Sequence, residues 1–189
     1  LNVHGKQGHV AYPERALNPI QNLLKYCAKL KDPLDEGNSF FQASNLEITS
    51  IDVNNEVTNL IPSEAFVRFN VRFNNNFTSK SLISLLKERL NIVGNNYSLE
   101  IKVSGESFYN SSEKLSKSLT SAIYKTLRLK PKMSTSGGTS DARFIANICP
   151  VIEFGLVGNT MHQVNENVKI SDIKKLSKIY FEFLKNIFF

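Results

Sequence analysis

The sequence contains 189 residues, of which 41% are hydrophobic and 10% aromatic, so it can form a real core in one domain or two small ones. The formal net charge is +6, but the lysines and arginines are scattered and form no basic stripe, which argues against a nucleic-acid partner. The apolar runs are too short for a membrane span, no signal peptide is visible, and Cys27 and Cys149 make no disulfide framework, so we expect a cytoplasmic protein.

Six segments of residues 1–105 carry the period of a strand or a helix. They are a strand over residues 1–4, a helix over 18–30, strands over 44–53 and 65–73, a helix over 82–90 and a strand over 97–103. Asn18 followed by Pro19 marks a helix start, and a change of phase between Ile48 and Ile51 predicts a β-bulge. The order β-α-β-β-α-β predicts a ferredoxin-like sandwich, whose free edge strand could pair with a second copy.

The pattern of residues 106–189 predicts an α/β arrangement with three helices and two short strands. The helices are expected over residues 115–127, over 141–148 with Thr139 or Ser140 as the cap, and from Ser171 onward, and the strands over 132–135 and 151–154. Two strands are too few to form a stable sheet alone. The chain also begins at Leu1, inside a predicted strand, so we expect it to be part of a longer protein.

A histidine near the end of this half could bind a metal. His162 is followed by Asn165 and Glu166, which could orient it as a ligand. Zinc needs about four ligands, and neither HxD, HExxH nor CxxC accompanies His162. From the residues alone, a hydrogen-bonded histidine in a surface loop is the favoured interpretation.

Other polar residues also have a functional and a structural interpretation. Gly137-Gly138-Thr139 is either a turn that begins a helix or a set of N–H groups that holds a carboxylate. His9 is either a loop histidine or a donor that polarises a carbonyl oxygen. Arg72 is either solvated or a carboxylate clamp, and Asn59 is usually a turn former.

Four segments resemble a known family. They are GKQGHVAYPERALNP, TNLIPSEAFVRFNVRFN, STSGGTSDARFI and GLVGNTMHQVNE, and the similarity covers essentially all 189 residues. The chain resembles the desuccinylase branch of a zinc-dependent peptidase family that also includes acetylornithine deacetylase and carboxypeptidases.

This resemblance implies an inserted β-α-β-β-α-β dimerisation (lid) domain over residues 1–105. Residues 106–189 would then be the C-terminal part of an α/β catalytic domain that holds two zinc ions per active site. The implied enzyme is a homodimer that hydrolyses the amide of N-succinyl-LL-2,6-diaminopimelate, in lysine and diaminopimelate biosynthesis, with a zinc-bound water and a glutamate base.

The same resemblance implies roles for individual residues. His162 would be a zinc ligand, and His9 would reach across the dimer to stabilise the oxyanion in the partner's active site. The implied substrate-binding residues are Tyr12, Asn59, Arg72, Gly138, Thr139 and Asn159. Arg72 and Thr139 would hold carboxylates, whereas Asn159 is the weakest match because relatives often carry asparagine one position earlier, where this chain has Gly158.

The chain departs from the family by what it lacks. The family's HxD ligands, bridging aspartate and Glu-Glu pair are not in these 189 residues. We therefore expect this chain alone to be inactive and not to hold zinc stably. Two alternatives stay open: another amidohydrolase of the family, such as an acetylornithine deacetylase or an aminoacylase, and a stand-alone dimerisation module.

Overall fold

A four-stranded antiparallel sheet organises the first of the two units of the chain, Leu1–Ser107. The computed structural model describes residues 1–109, 112–135, 138 and 141–189. The elements of the first unit are β1 (Asn2–His4), β2 (Gly8–His9), the 3-10 helix Pro13–Arg15, α1 (Pro19–Leu30), β3 (Asn45–Asp52), β4 (Leu60–Ile61), β5 (Glu64–Arg72), α2 (Ser79–Val93) and β6 (Tyr97–Ser98). The strand order β3-β5-β1-β6 confirms the predicted ferredoxin-like sandwich.

The core of this unit lies between one face of the sheet and the two helices. Along β5, Ala65 and Val67 are buried whereas Phe66 and Arg68 face solvent, as the period of two requires. The buried residues that pack together are Val3, Leu23, Tyr26, Cys27, Leu30, Leu46, Ala65, Val67, Leu82, Leu86 and Leu90. One helix face and one sheet face therefore exclude water together.

Side-chain caps begin both helices: α1 begins where Asn18-Pro19 predicts, whereas α2 begins at Ser79, three residues before the predicted helix over 82–90. The Oδ1 atom of Asn18 accepts the N–H of Ile20 at 3.0 Å, and Pro19 occupies the first turn of α1. Thr78 and Ser81 form a reciprocal capping box at the start of α2.

The structure confirms one predicted detail of the strands and adds or corrects two others. The predicted bulge is confirmed, because the register of β3 against β5 shifts between Ile48 and Ser50. The predicted last strand is too long, because only Tyr97 and Ser98 pair with β1, and residues 99–103 pair with no described strand. The segment between the predicted first strand and first helix contains β2, which pairs with β4 in a two-stranded ribbon; two residues are too few to leave a period in the sequence.

The second unit, Phe108–Phe189, is helical in the residues that the structure describes. Its helices are α3 (Glu113–Leu127), α4 (Ala142–Ile145) and α5 (Ile170–Phe188). Leu119, Ala122 and Ile123 of α3 are buried together with Ile179 of α5. Lys125 also pairs with Glu182 across the same two helices.

The two strands predicted for this unit are wrong, since neither residues 132–135 nor 151–154 form a strand. A strand needs a hydrogen-bonded neighbour, and the described part of this unit contains none. Ile152 and Phe154 instead pack against the core of α3 and α5, and the carbonyl of Phe154 accepts the hydroxyl of Tyr180.

The boundaries of two predicted helices also change. The helix expected over residues 141–148 ends at Ile145, so Ile148 is 84% exposed, and its expected caps Thr139 and Ser140 lie outside the described residues. The last helix begins at Ile170, next to Lys169, whose side chain makes no cap. None of the described helices has the length and apolar composition needed to cross a bilayer. Whether the two units correspond to the dimerisation and catalytic parts, with a boundary near residue 105, stays a prediction.

Candidate functional site

The ribbon of β2 and β4 brings two of the candidate residues together. His9 pairs with Leu60 in the register of the ribbon, and the N–H of Val10 donates to the carbonyl of Asn59 at 3.1 Å. The side-chain amide of Asn55 donates to the carbonyl of Leu60 at 3.1 Å and ties down the segment that precedes the ribbon. His9 and Asn59, separated by fifty positions in the chain, are therefore neighbours on one exposed surface.

Backbone contacts hold the imidazole of His9. Its Nδ1 atom accepts the N–H of Ala11 at 3.0 Å, and the N–H of Tyr12 closes a turn on the carbonyl of His9 at 2.9 Å. The ring of Tyr12 lies 5.9 Å from the imidazole, at an interplanar angle of 57°. His9 and Tyr12 thus form one exposed aromatic pair, with Tyr12 52% exposed.

Sequence reasoning missed two residues of this loop. Arg15 lies on the 3-10 helix that follows Tyr12, and its guanidinium is 5.0 Å from the centre of the Tyr12 ring. Ala11 contributes only its backbone, so its side chain carries no signal. In the sequence, Tyr12 and Arg15 are three residues apart, which only weakly predicts that their side chains lie on the same side. They do so because Pro13 begins a 3-10 helix, in which residues three apart are aligned.

Arg72 lies at the opposite end of the same unit. It ends β5 and pairs with Asn45, whereas Glu64 begins β5 and pairs with His4, close to the ribbon. At about 3.3 Å per residue, β5 separates Glu64 from Arg72 by roughly 26 Å. Within one copy, Arg72 is therefore far from His9 and Asn59.

Side-chain hydrogen bonds fix the loop around His162 in the second unit. The Oγ1 atom of Thr160 donates to the carbonyl of Asn167 and accepts its N–H, both at 3.0 Å. A carboxylate oxygen of Glu166 accepts the backbone N–H of His162 at 3.3 Å. His162 and Asn165 have φ angles of 59° and 64°, so two side-chain-bearing residues adopt the left-handed conformation in this one loop.

Two further candidates of the second unit, Gly138 and Asn159, are exposed. Asn159 accepts the side-chain amide of Gln163 on its carbonyl at 3.2 Å, next to the His162 loop. Gly138 has open space where a Cβ atom would lie. Thr139 lies outside the described residues, so its predicted contact with a carboxylate stays a prediction.

The described residues do not make a complete zinc site. His162 is exposed, and no group of three or more His, Cys, Asp or Glu side chains in the described ranges is placed to hold a metal ion. Zinc requires about four ligands, so His162 could supply only one of them. Cys27 is no candidate either, because it is a buried core residue and burial raises the pKa of its thiol.

Comparison with known proteins identifies the family. The family model of the peptidase dimerisation domain, M20_dimer, matches residues 1–98, which is just over half of the chain. The chain belongs to the M20 peptidase dimerisation-domain family. Two similar relatives are both named succinyl-diaminopimelate desuccinylase: one from Pelagibacter ubique (strain HTCC1062), 49% identical, and one from Wolbachia pipientis wMel, 46% identical.

These alignments cover 100% of this chain but 50% and 48% of the two relatives, so the chain spans about half the length of the curated relatives it matches. Solved structures show the same fold. An M20 family metallo-carboxypeptidase from Sulfolobus solfataricus matches with a TM-score of 0.76 and 17% identity, over 97% of this chain and 59% of its own. A di-peptidase from Saccharomyces cerevisiae matches with a TM-score of 0.77 and 15% identity, over 98% of this chain and 52% of its own.

Proposed function

We propose that this chain is half of a zinc-dependent amidohydrolase that converts N-succinyl-LL-2,6-diaminopimelate and water to succinate and LL-diaminopimelate, in the cytoplasm. The observation that carries the proposal is the 46–50% identity, over nearly the whole chain, to relatives named succinyl-diaminopimelate desuccinylase. The proposal concerns the longer enzyme, because the matched relatives are about twice as long as this chain.

The first unit supports a site built from two copies. His9, Tyr12 and Asn59 lie at one end of this unit and Arg72 at the other, so one copy cannot offer all four to one small substrate. In a two-fold dimer, the His9 end of one copy can face the Arg72 end of its partner. Arg72 would then bind a substrate carboxylate through its two-pronged guanidinium, while the partner's His9 donates to the oxygen of the scissile amide.

A free sheet edge supports the dimer itself. β3 is eight residues long, lies at one edge of the sheet and pairs only with β5 among the described strands. Its outer backbone groups can pair with β3 of a second copy, which would join two sheets into one. The peptidase dimerisation family to which residues 1–98 belong is consistent with this pairing.

The second unit would contribute to the metal and to the substrate. His162 would supply one zinc ligand, with Gly138, Thr139 and Asn159 close to the substrate. The other ligands and the general base would come from outside the residues described here, since the described part holds no metal-binding cluster. This division also explains why we expect the 189 residues alone to be inactive.

The test is to express the complete coding sequence that contains these 189 residues and to measure hydrolysis of two substrates. We expect release of succinate from N-succinyl-LL-2,6-diaminopimelate with a higher kcat/KM than release of acetate from N-acetylornithine. The reverse preference would make the protein a deacetylase of the same family. A stable dimer that hydrolyses neither substrate would refute the enzymatic proposal and support a dimerisation module.

A further inference from the structure

The hydrogen bond between Ala11 and His9 determines which ring nitrogen of His9 carries the proton. The backbone N–H of Ala11 can only donate, and it points at Nδ1 of His9 at 3.0 Å. Nδ1 must therefore hold a lone pair, and in the neutral imidazole the proton lies on Nε2. The opposite tautomer would set two N–H groups against each other.

The surrounding backbone makes this contact a fixed feature of the loop. The turn from His9 to Tyr12 is closed by its own hydrogen bond of 2.9 Å, and Val10 is bonded to Asn59 across the ribbon. A Cβ atom on Gly8 would lie 2.6 Å from the Cβ of Ala16, so the loop is packed closely just before His9. The main chain thus fixes where the Ala11 amide lies relative to the backbone of His9, and the 3.0 Å contact places Nδ1 of the ring against it.

We propose that the Ala11 backbone amide is a positioning group that fixes His9 as the Nε2–H tautomer, so that His9 offers a substrate one hydrogen-bond donor and no acceptor. While this contact persists, the outward nitrogen of the neutral ring has no lone pair with which to accept a proton or bind a metal. The inference deepens the proposed function. It rests on that function only in naming the group that accepts the Nε2–H of His9, which is the oxygen of the scissile amide.

The tautomer can be measured on the 189-residue chain, whether or not it has activity. Histidine labelled with ¹⁵N on both ring nitrogens distinguishes a protonated from an unprotonated ring nitrogen by NMR at a pH where the ring is neutral. The signals of His9 are those that disappear in His9→Gln, and His4 and His162 serve as internal comparisons. We expect a protonated Nε2 and an unprotonated Nδ1, and a protonated Nδ1 would overturn the inference.

A matched pair of variants in the complete enzyme tests the same inference by kinetics. The side-chain amide of His9→Gln reaches the place of Nε2 and can donate there, whereas that of His9→Asn reaches only the place of Nδ1, next to Ala11. Losing a donor to a developing oxyanion costs about 10²–10³-fold in kcat, so we expect that loss for His9→Asn and a recovery of roughly tenfold or more for His9→Gln. A kcat for His9→Asn equal to or above that for His9→Gln would contradict the inference.

A failure of the proposed function and a failure of the tautomer inference give different results. A complete enzyme that hydrolyses neither substrate refutes the proposed function, and the NMR experiment then still decides the tautomer by itself. A protonated Nδ1 in an active desuccinylase refutes the tautomer and leaves the proposed function in place.

Discussion

The close packing of Gly8 against Ala16 makes the His9 ribbon sensitive to one added methyl group. In Gly8→Ala, the new Cβ would lie 2.6 Å from the Cβ of Ala16, whereas carbon atoms in contact are about 3.5–4.0 Å apart, so the two segments must separate by roughly 1 Å. Overpacking of this kind costs about 1–3 kcal/mol. We expect Gly8→Ala to lower the free energy of unfolding of the first unit by that amount.

Denaturant unfolding of four variants, Gly8→Ala, Gly155→Ala, Ala16→Gly and the double variant Gly8→Ala/Ala16→Gly, measures this effect. Gly155→Ala is the control, because its Cβ would meet open space, and we expect a change within about 0.5 kcal/mol. Ala16→Gly removes the opposing methyl group, so the double variant Gly8→Ala/Ala16→Gly should recover about 0.5–3 kcal/mol relative to the sum of the single effects. Equal stability of Gly8→Ala and Gly155→Ala, or strict additivity in the double variant, would refute the packing argument.

Two further predictions concern the stability of the first unit. Burial opposes the charge of Asp35, but hydrogen bonds from Ser44, Asn74 and the backbone outweigh it and hold the pKa of the carboxyl below its usual value. The contribution of the Asp35 carboxylate to stability is therefore complete above its unfolded pKa and is lost as the pH falls through its folded pKa. We expect denaturant unfolding between neutral and acidic pH to show that Asp35→Asn loses less free energy of unfolding on acidification than the native chain does. An equal loss in both would show that this carboxyl does not contribute to the acid sensitivity. Asn18→Ala should lower the free energy of unfolding by about 1 kcal/mol in thermal unfolding, and Asn18→Ser should restore most of it, because only the serine can still accept the N–H of Ile20; equal losses would show that the cap contributes nothing.

Local periodicity predicted the elements that have a partner within the chain. The residues of β5 alternate between exposed and buried or partly buried over nine positions, and β5 has a paired strand on each side. The strand predicted from its pattern is therefore the strand that forms. The predicted strands over residues 97–103 and 151–154 have the apolar pattern of strands, but among the described residues only Tyr97 and Ser98 of these two segments pair with another strand. A sequence pattern records which face of a segment is apolar, and it does not record whether another strand lies beside it.

The candidate site shows the same limit. His9 and Asn59 were predicted separately, and a two-residue ribbon between distant segments joins them without any period to reveal it. The separation of His9 from Arg72 follows from the strand order and the direction of β5, which no residue type encodes. The tautomer of His9 depends on the backbone of Ala11, a residue whose side chain is unremarkable.

Subunit complementation tests the two-copy site most directly. In the complete enzyme, His9→Ala and Arg72→Ala should each be nearly inactive as homodimers. A mixed dimer would hold one site with both native residues, so an equal mixture that exchanges subunits at random should recover up to about a quarter of the native activity. Activity no higher than that of the two parents, with mixed dimers shown to be present, would contradict a site shared between copies.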